Sequence, residues 1–286
     1  MCRLHLTLVF LQTIAFTLTQ AYFTPDFNAF LTSNYGASVQ QAFERRDLKD
    51  AGSFGGRTRP NEKLSKQAVI FIHGLSQNAE GFEEIRKYYL RRGYTSGELY
   101  GITWAEGEAL DLFETDMKCR YVKLVRNFIL AVQKYTGGQV DVIGYSMGSP
   151  MARKAILGGK CVDTGKNLGA PLTSLVDTFV GIAGANYGAS ALCFLKMGRP
   201  CGKTIGLDCK SKYLADINSQ RSKYEGRYVF SIYSTEDDVV GYKACGKIAS
   251  AIPHQDKAFK RRGDHYEVLH SSAELQYSLV QKHRAM

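Results

Sequence analysis

The sequence predicts an α/β fold: a mostly parallel sheet with helices on both faces, interrupted by a cysteine-rich insertion. Three observations predict it. Short apolar runs of strand character alternate with longer helical patterns. The first run, Ala68-Val69-Ile70-Phe71-Ile72, is apolar without a break, as a strand buried on both faces requires. A serine set between glycines stands at 144–148, where a later strand gives way to a helix. The 286 residues, 44% hydrophobic and 22% charged, suit an ordinary globular chain, and six prolines exclude a proline-rich linker protein.

The elements follow in order. Residues 1–21 read as a secretory signal peptide: Arg3 gives a basic start, 4–18 are mainly apolar and threonine, and Thr19-Gln20-Ala21 offers a small-x-small cleavage site. The apolar stretch falls short of the roughly 20 residues a membrane helix needs, and no second one is long enough, so no transmembrane segment is expected. Residues 22–286 form the globular domain, opening with a polar stretch to residue 66 in which 52–60 form an irregular approach segment. A helix is expected over 80–91, stopped by Gly93, and a weaker strand over 99–103. Over 114–135, apolar side chains at Met117, Tyr121, Leu124, Val125, Phe128, Val132 and Tyr135 step by three and four, the stripe of an amphipathic helix that Gly137-Gly138 ends. Strands are expected at 140–143, 176–183 and 227–233, a helix from about Pro150, and a closing helix over 271–283.

Cys2 leaves with the leader, and Cys119, Cys161, Cys193, Cys201, Cys209 and Cys245 remain. An even count in an exported chain points to disulfides. Cys119 opens the helix before the 140–143 strand and Cys161 follows the helix after it. Those helices should be neighbours on the sheet, so Cys119–Cys161 is the expected bridge, the others tying the insertion to itself and to Cys245. No cysteine or histidine spacing suits zinc, and neither a metal nor a cofactor is expected. Without Arg3, 36 basic residues face 27 acidic ones, a net charge of +9. That favours anionic surfaces such as phospholipid headgroups. No nucleic-acid motif is present, so no nucleic acid partner is expected.

Gly144-Tyr145-Ser146-Met147-Gly148 carries the chemistry. A strand-to-helix elbow lifts the serine hydroxyl above the sheet, and the flanking glycines let strand and helix approach closely. A serine is a poor nucleophile without a base, itself oriented by a carboxylate, and in this architecture the chain order is serine, acid, histidine. The acid is expected in Glu236-Asp237-Asp238, after the 227–233 strand. Among His254, His265, His270 and His283, His265 is favoured over His270, because Gly263-Asp264-His265 opens the last helix. Two backbone N–H groups should receive an oxyanion: that of Met147, and that of Leu75 in the loop His73-Gly74-Leu75 after the first buried strand. His73 precedes the serine and is not the base.

In this order, Ile70-Phe71-Ile72-His73-Gly74, the 140–148 strand and elbow, Ala183-Gly184-Ala185-Asn186, Ser231-Ile232-Tyr233-Ser234-x-x-Asp237 and Gly263-Asp264-His265 resemble the class 2 lipases, small α/β-hydrolases, and above all a secreted nematode lipase-related group. The resemblance spans about 66–283. It implies Ser146 as nucleophile, Asp237 as acid, His265 as base, and Leu75 and Met147 in the oxyanion hole, for the hydrolysis of lipid esters outside the cell. A hydrolase of soluble short-chain esters and a non-catalytic lipid-binding protein on the same fold are the alternatives. The pattern departs at 187–226, where the smallest bacterial members have only a short loop. Here Lys196, Arg199, Lys203, Lys210, Lys212, Arg221 and Lys223 face Asp208, Asp216 and Glu225, and 191–195 add an apolar patch. A disulfide-tied cap that docks on anionic lipid is the expectation for it.

Overall fold

In a computed structural model, residues 22–107, 113–195 and 198–285 are described; the expected signal peptide lies outside them. The chain opens with α1 (Pro25–Tyr35), α2 (Ala37–Glu44) and β1 (Ser53–Phe54), then β2 (Ala68–Ile72), α3 (Glu83–Leu90), β3 (Leu99–Ile102), α4 (Cys119–Thr136), β4 (Val140–Tyr145), α5 (Gly148–Leu157) and β5 (Val176–Ile182). It continues with α6 (Lys212–Asn218), β6 (Tyr228–Ser234), the hairpin β7 (Lys243–Ala244) and β8 (Lys247–Ile248), β9 (Lys257–Arg261), α7 (His265–Ser271) and α8 (Ala273–Lys282). Seven strands form one sheet in the order β1-β3-β2-β4-β5-β6-β9. Only β1 runs antiparallel to its neighbour.

Alternation along each central strand divides the core in two. Ile70 and Ile72 of β2 join Phe27, Leu31, Phe128, Val132 and Met151, beneath α1, α4 and α5. Val69 and Phe71 join Ile85, Tyr89, Val268 and Leu279, beneath α3, α7 and α8.

Four readings change. The polar stretch 22–66 opens with two helices and contributes to the core: Thr24 caps α1 by accepting the Phe27 N–H, Pro25 suits its first turn, and Phe23, Phe27, Leu31 and Phe43 are buried, while 55–66 hold no helix or strand. The helix expected from 114 begins at Cys119, because the Met117 N–H instead donates to the Ile205 carbonyl of the insertion, at 3.0 Å. Strand β9 reads as polar, with Phe259 its one buried side chain, as a basic edge strand can. The closing helix is two, parted at Ser272, whose hydroxyl donates to the Val268 carbonyl at 2.6 Å.

Disulfides join Cys119 to Cys161, as the neighbouring helices suggest, Cys193 to Cys201 and Cys209 to Cys245. The insertion is also anchored by charge. Arg153 of α5 and Glu225, 0% and 1% exposed at their side chains, pair at 2.8 Å. The same guanidinium donates to Asn218 Oδ1 at 2.8 Å and the Ile217 carbonyl at 3.0 Å. Removing one partner of such a pair leaves a buried charge uncompensated. Glu225→Ala should therefore cost about 3–5 kcal/mol in urea unfolding with the disulfides intact; a loss below about 1 kcal/mol would show that the pair is not the anchor.

At the end of β2, His73 is 1% exposed and stacks on Trp104 with ring centroids 5.0 Å apart. Its Nε2 accepts the Trp104 N–H at 3.1 Å, so Nδ1 carries the proton and donates to the Gly74 carbonyl at 2.7 Å. Burial pulls its pKa from the usual 6.5 to about 4. The unfolded chain thus takes up a proton in a window where the folded one does not, and stability falls by up to about 3 kcal/mol as pH drops from 6.5 to 4. His73→Asn should be less stable at pH 7 yet lose that part of the acid slope, read from thermal midpoints across the range. Parallel slopes in the two proteins would refute it.

Candidate active site

The carboxyl ends of β2, β4, β5 and β6 converge on one edge of the sheet, where doubly wound sheets carry their chemistry. Strand β4 ends at Tyr145, α5 begins at Gly148, and Ser146 between them has φ +53°. A non-glycine residue there is strained, and the surroundings enforce it. A Cβ on Gly148 would overlap the carbonyl oxygens of Ile72 and His73. One on Gly144 would stand 2.7 Å from Ser149 Cα. The Ser146 N–H donates to the Ile182 carbonyl at 2.9 Å, stitching the elbow to β5.

Asp237 follows β6, and His265 is the first residue of α7. That helix starts with a capping box: Asp264 accepts the Glu267 N–H, and the Glu267 carboxylate accepts the Asp264 N–H. The three side chains meet. His265 Nε2 lies 3.0 Å from Ser146 Oγ, and His265 Nδ1 lies 2.9 Å from Asp237 Oδ2. Burial alone would raise the Asp237 carboxyl. The hydrogen bond and charge of His265, with the Val240 and Val239 N–H groups at 2.8 and 3.1 Å, outweigh it and hold the pKa below the ordinary aspartate value. All three residues are buried to within 7% exposure, and Ser146 and His265 line a cavity of about 210 Å³.

Leu75 lines that cavity, and Met147 stands at the N-terminus of α5. The loop 73–77 crosses directly over the serine: a Cβ on Gly74 would lie 3.3 Å from Ser146 Oγ. Because His73 holds the Gly74 carbonyl, the trans peptide turns the Leu75 N–H the opposite way. The other candidates lie apart. His270 packs against the Tyr266 ring, His254 meets the Gln220 carbonyl, and His283 pairs with Asp177. Asp238 accepts the His265 backbone N–H at 3.1 Å, and Glu236 accepts the Gly263 N–H at 3.1 Å, so both neighbours of Asp237 fasten the histidine loop.

Two residues of the site escape sequence reasoning. Tyr145 donates its hydroxyl to the His265 carbonyl at 2.9 Å, and its ring packs 5.0 Å from the imidazole. Gln77 accepts the Gly74 N–H at 3.2 Å while its side chain also reaches the Tyr145 hydroxyl. Together they link the loop over the serine to the histidine. Tyr145 occupies the free position of the glycine-serine motif, which carries no signal of a role, and Gln77 sits in an unpatterned loop.

Solved structures share the architecture. The mature Bacillus licheniformis lipase BlEst2 is 12% identical, and the match covers 79% of this chain and 96% of that lipase at a TM-score of 0.56. A structure of the metagenome-derived lipolytic enzymes LipS and LipT is 13% identical, with 82% of this chain and 98% of that one covered at a TM-score of 0.52. At such identities the likeness speaks for the fold, that of the α/β-hydrolases. No curated protein matches the chain. The family model for class 2 lipases matches residues 66–278, the whole span from β2 into α8. The chain belongs to the class 2 lipases, a family of ester hydrolases.

Proposed function

We propose that this chain is a secreted serine hydrolase of acylglycerol-type esters, with Ser146 as nucleophile, His265 as general base and Asp237 as orienting acid. The observation that carries the reading is the contact of His265 with Ser146 at 3.0 Å and Asp237 at 2.9 Å, on a strained elbow. His265 takes the serine proton as Oγ attacks the ester carbonyl. Asp237, ionised at neutral pH, fixes the Nδ1–H tautomer and stabilises the imidazolium. The carbonyl oxygen gains charge against the Leu75 and Met147 N–H groups, each typically worth about 3–4 kcal/mol of barrier. The imidazolium returns its proton to the leaving alkoxide, giving the alcohol and an acyl-enzyme. Water then attacks the acyl carbonyl, again deprotonated by His265, and Ser146 is released with the free acid. Three disulfides agree with export, and no described helix is long and apolar enough to cross a membrane.

A fluorophosphonate probe should label Ser146 covalently. Ser146→Ala should abolish both labelling and ester turnover while leaving the thermal midpoint nearly unchanged. An unlabelled wild-type protein would instead make the chain a binding module.

The lipid partner we infer is an anionic surface. Phe194 and Leu195 are 81% and 70% exposed, and Phe113, 51% exposed, has its backbone against Gly198 of the same insertion. Exposed Arg199, Lys203 and Lys210 stand on the same insertion; Lys196 lies outside the described residues. Burying such apolar side chains and placing basic ones near anionic headgroups contribute about 1–3 kcal/mol each. In the Ser146→Ala background, binding to phosphatidylserine vesicles should fall at least tenfold with Phe194→Ser and Leu195→Ser together, and should fade as salt rises. Unchanged sedimentation would remove the crest as the docking surface.

A further inference from the structure

The insertion supplies part of the wall of the cavity over Ser146, and the hydrolase core supplies the rest. Ala189, Leu192 and Leu207 come from the insertion, Val239 and Val240 from the turn after Asp237, and Leu75 from the loop across the serine. Leu207 is 2% exposed. This wall is fastened on several sides. The Leu192 N–H donates to the Val239 carbonyl at 2.8 Å, the Ala189 N–H to the Leu207 carbonyl at 3.0 Å, and the Ser190 hydroxyl to the Lys243 carbonyl at 2.7 Å. Cys193, next to Leu192, is bonded to Cys201, and Cys209, two residues after Leu207, to Cys245 beyond the acid turn. Behind it, Arg153 and Glu225 hold the far end of the insertion on α5. A segment tied at so many points stays in place when substrate enters.

A fixed wall makes the cavity's size a specificity. Its volume is about 210 Å³. Taking a methylene to fill about the space of a water, roughly 30 Å³, it accepts about seven such groups. Each methylene that enters gains the free energy of leaving water, about a fourfold rise in kcat/KM if the gain is carried to the transition state. A longer chain meets Leu192 or Leu207 and gains nothing more. We propose that Leu192 and Leu207 gauge acyl length and make the enzyme selective for medium-chain esters, of about six to eight acyl carbons. The proposal rests on the serine-hydrolase reading above and specifies its substrate.

The test uses the full disulfide-bonded protein and p-nitrophenyl esters from acetate to laurate, each below its solubility limit, with active sites counted by fluorophosphonate titration. The expected kcat/KM per active site climbs about fourfold per methylene up to hexanoate or octanoate and stops rising by decanoate. Leu207→Ala, which lengthens the cavity, should move the maximum to decanoate or laurate. Leu192→Trp, which fills it, should move the maximum to butanoate. Shifts in opposite directions separate a gauge from general damage to the fold, which would depress every ester alike. A wild-type rate still climbing at laurate, or one maximum shared by both variants, overturns the gauge while labelled Ser146 leaves the hydrolase reading standing. Absence of labelling in the wild type would bring down both.

Discussion

Everything in this molecule's chemistry depends on one backbone constraint, the left-handed conformation of Ser146. At φ +53° a serine is held against its own preference, at a cost of about 1–3 kcal/mol that the surrounding contacts must offset. They do so by close approach. Gly148 lies so near the carbonyl ends of β2 that no side chain fits, and the Ser146 N–H is taken by Ile182 of β5. Relaxing the elbow would therefore part α5 from two strands. The same approach brings the loop after β2 over the hydroxyl, so the strain that presents the proposed nucleophile also sets its distance to the N–H groups proposed to receive the oxyanion.

How much of this was legible in the sequence follows from which interactions are local. The strands β2, β4 and β5 are buried on both faces; β2 reads as an unbroken apolar run, β4 and β5 as mostly apolar ones broken by Asp141 and Asp177-Thr178, and the candidate site lies at their ends in chain order. Ser146 and His265 stand beside residues whose turn and capping character is written in a few neighbours. Asp237 is separated from Asp238 only by register, and the structure gives each its own partner: the imidazole for one, the His265 backbone for the other. The N-terminal helices were hidden because their aromatic residues are sparse among polar ones. Their stability comes from Tyr100 and Phe128 across the core, which the local sequence does not contain. His73 is the sharpest case. Its tautomer is set by Trp104, 31 residues away, and without that partner it reads as an ordinary loop histidine.

The basic residues on and beneath the insertion divide by burial. Lys154 and Arg153 of α5 are consumed internally, pairing with Asp216 and Glu225, whereas Arg199, Lys203 and Lys210 remain at the surface. Net charge alone could not separate these populations. Charges locked inside fix where the insertion sits and carry little field outward. The exposed ones share the insertion with Phe194 and Leu195, whose apolar side chains face solvent.

The turn after β6 joins the proposed acid, Asp237, to the shape of the pocket. Asp237 Oδ1 accepts the N–H groups of Val239 and Val240, while the side chains of those two valines line the cavity. The Val239 carbonyl in turn receives the Leu192 N–H of the insertion. A displacement of the insertion is thus passed through one peptide to the carboxylate hydrogen-bonded to His265. Widening the pocket by moving this backbone would loosen the acid, whereas widening it by trimming a side chain would not. Selectivity in such an arrangement can change through side chains such as Leu207, which touch the substrate space without carrying the acid, and the backbone of the turn must stay as it is.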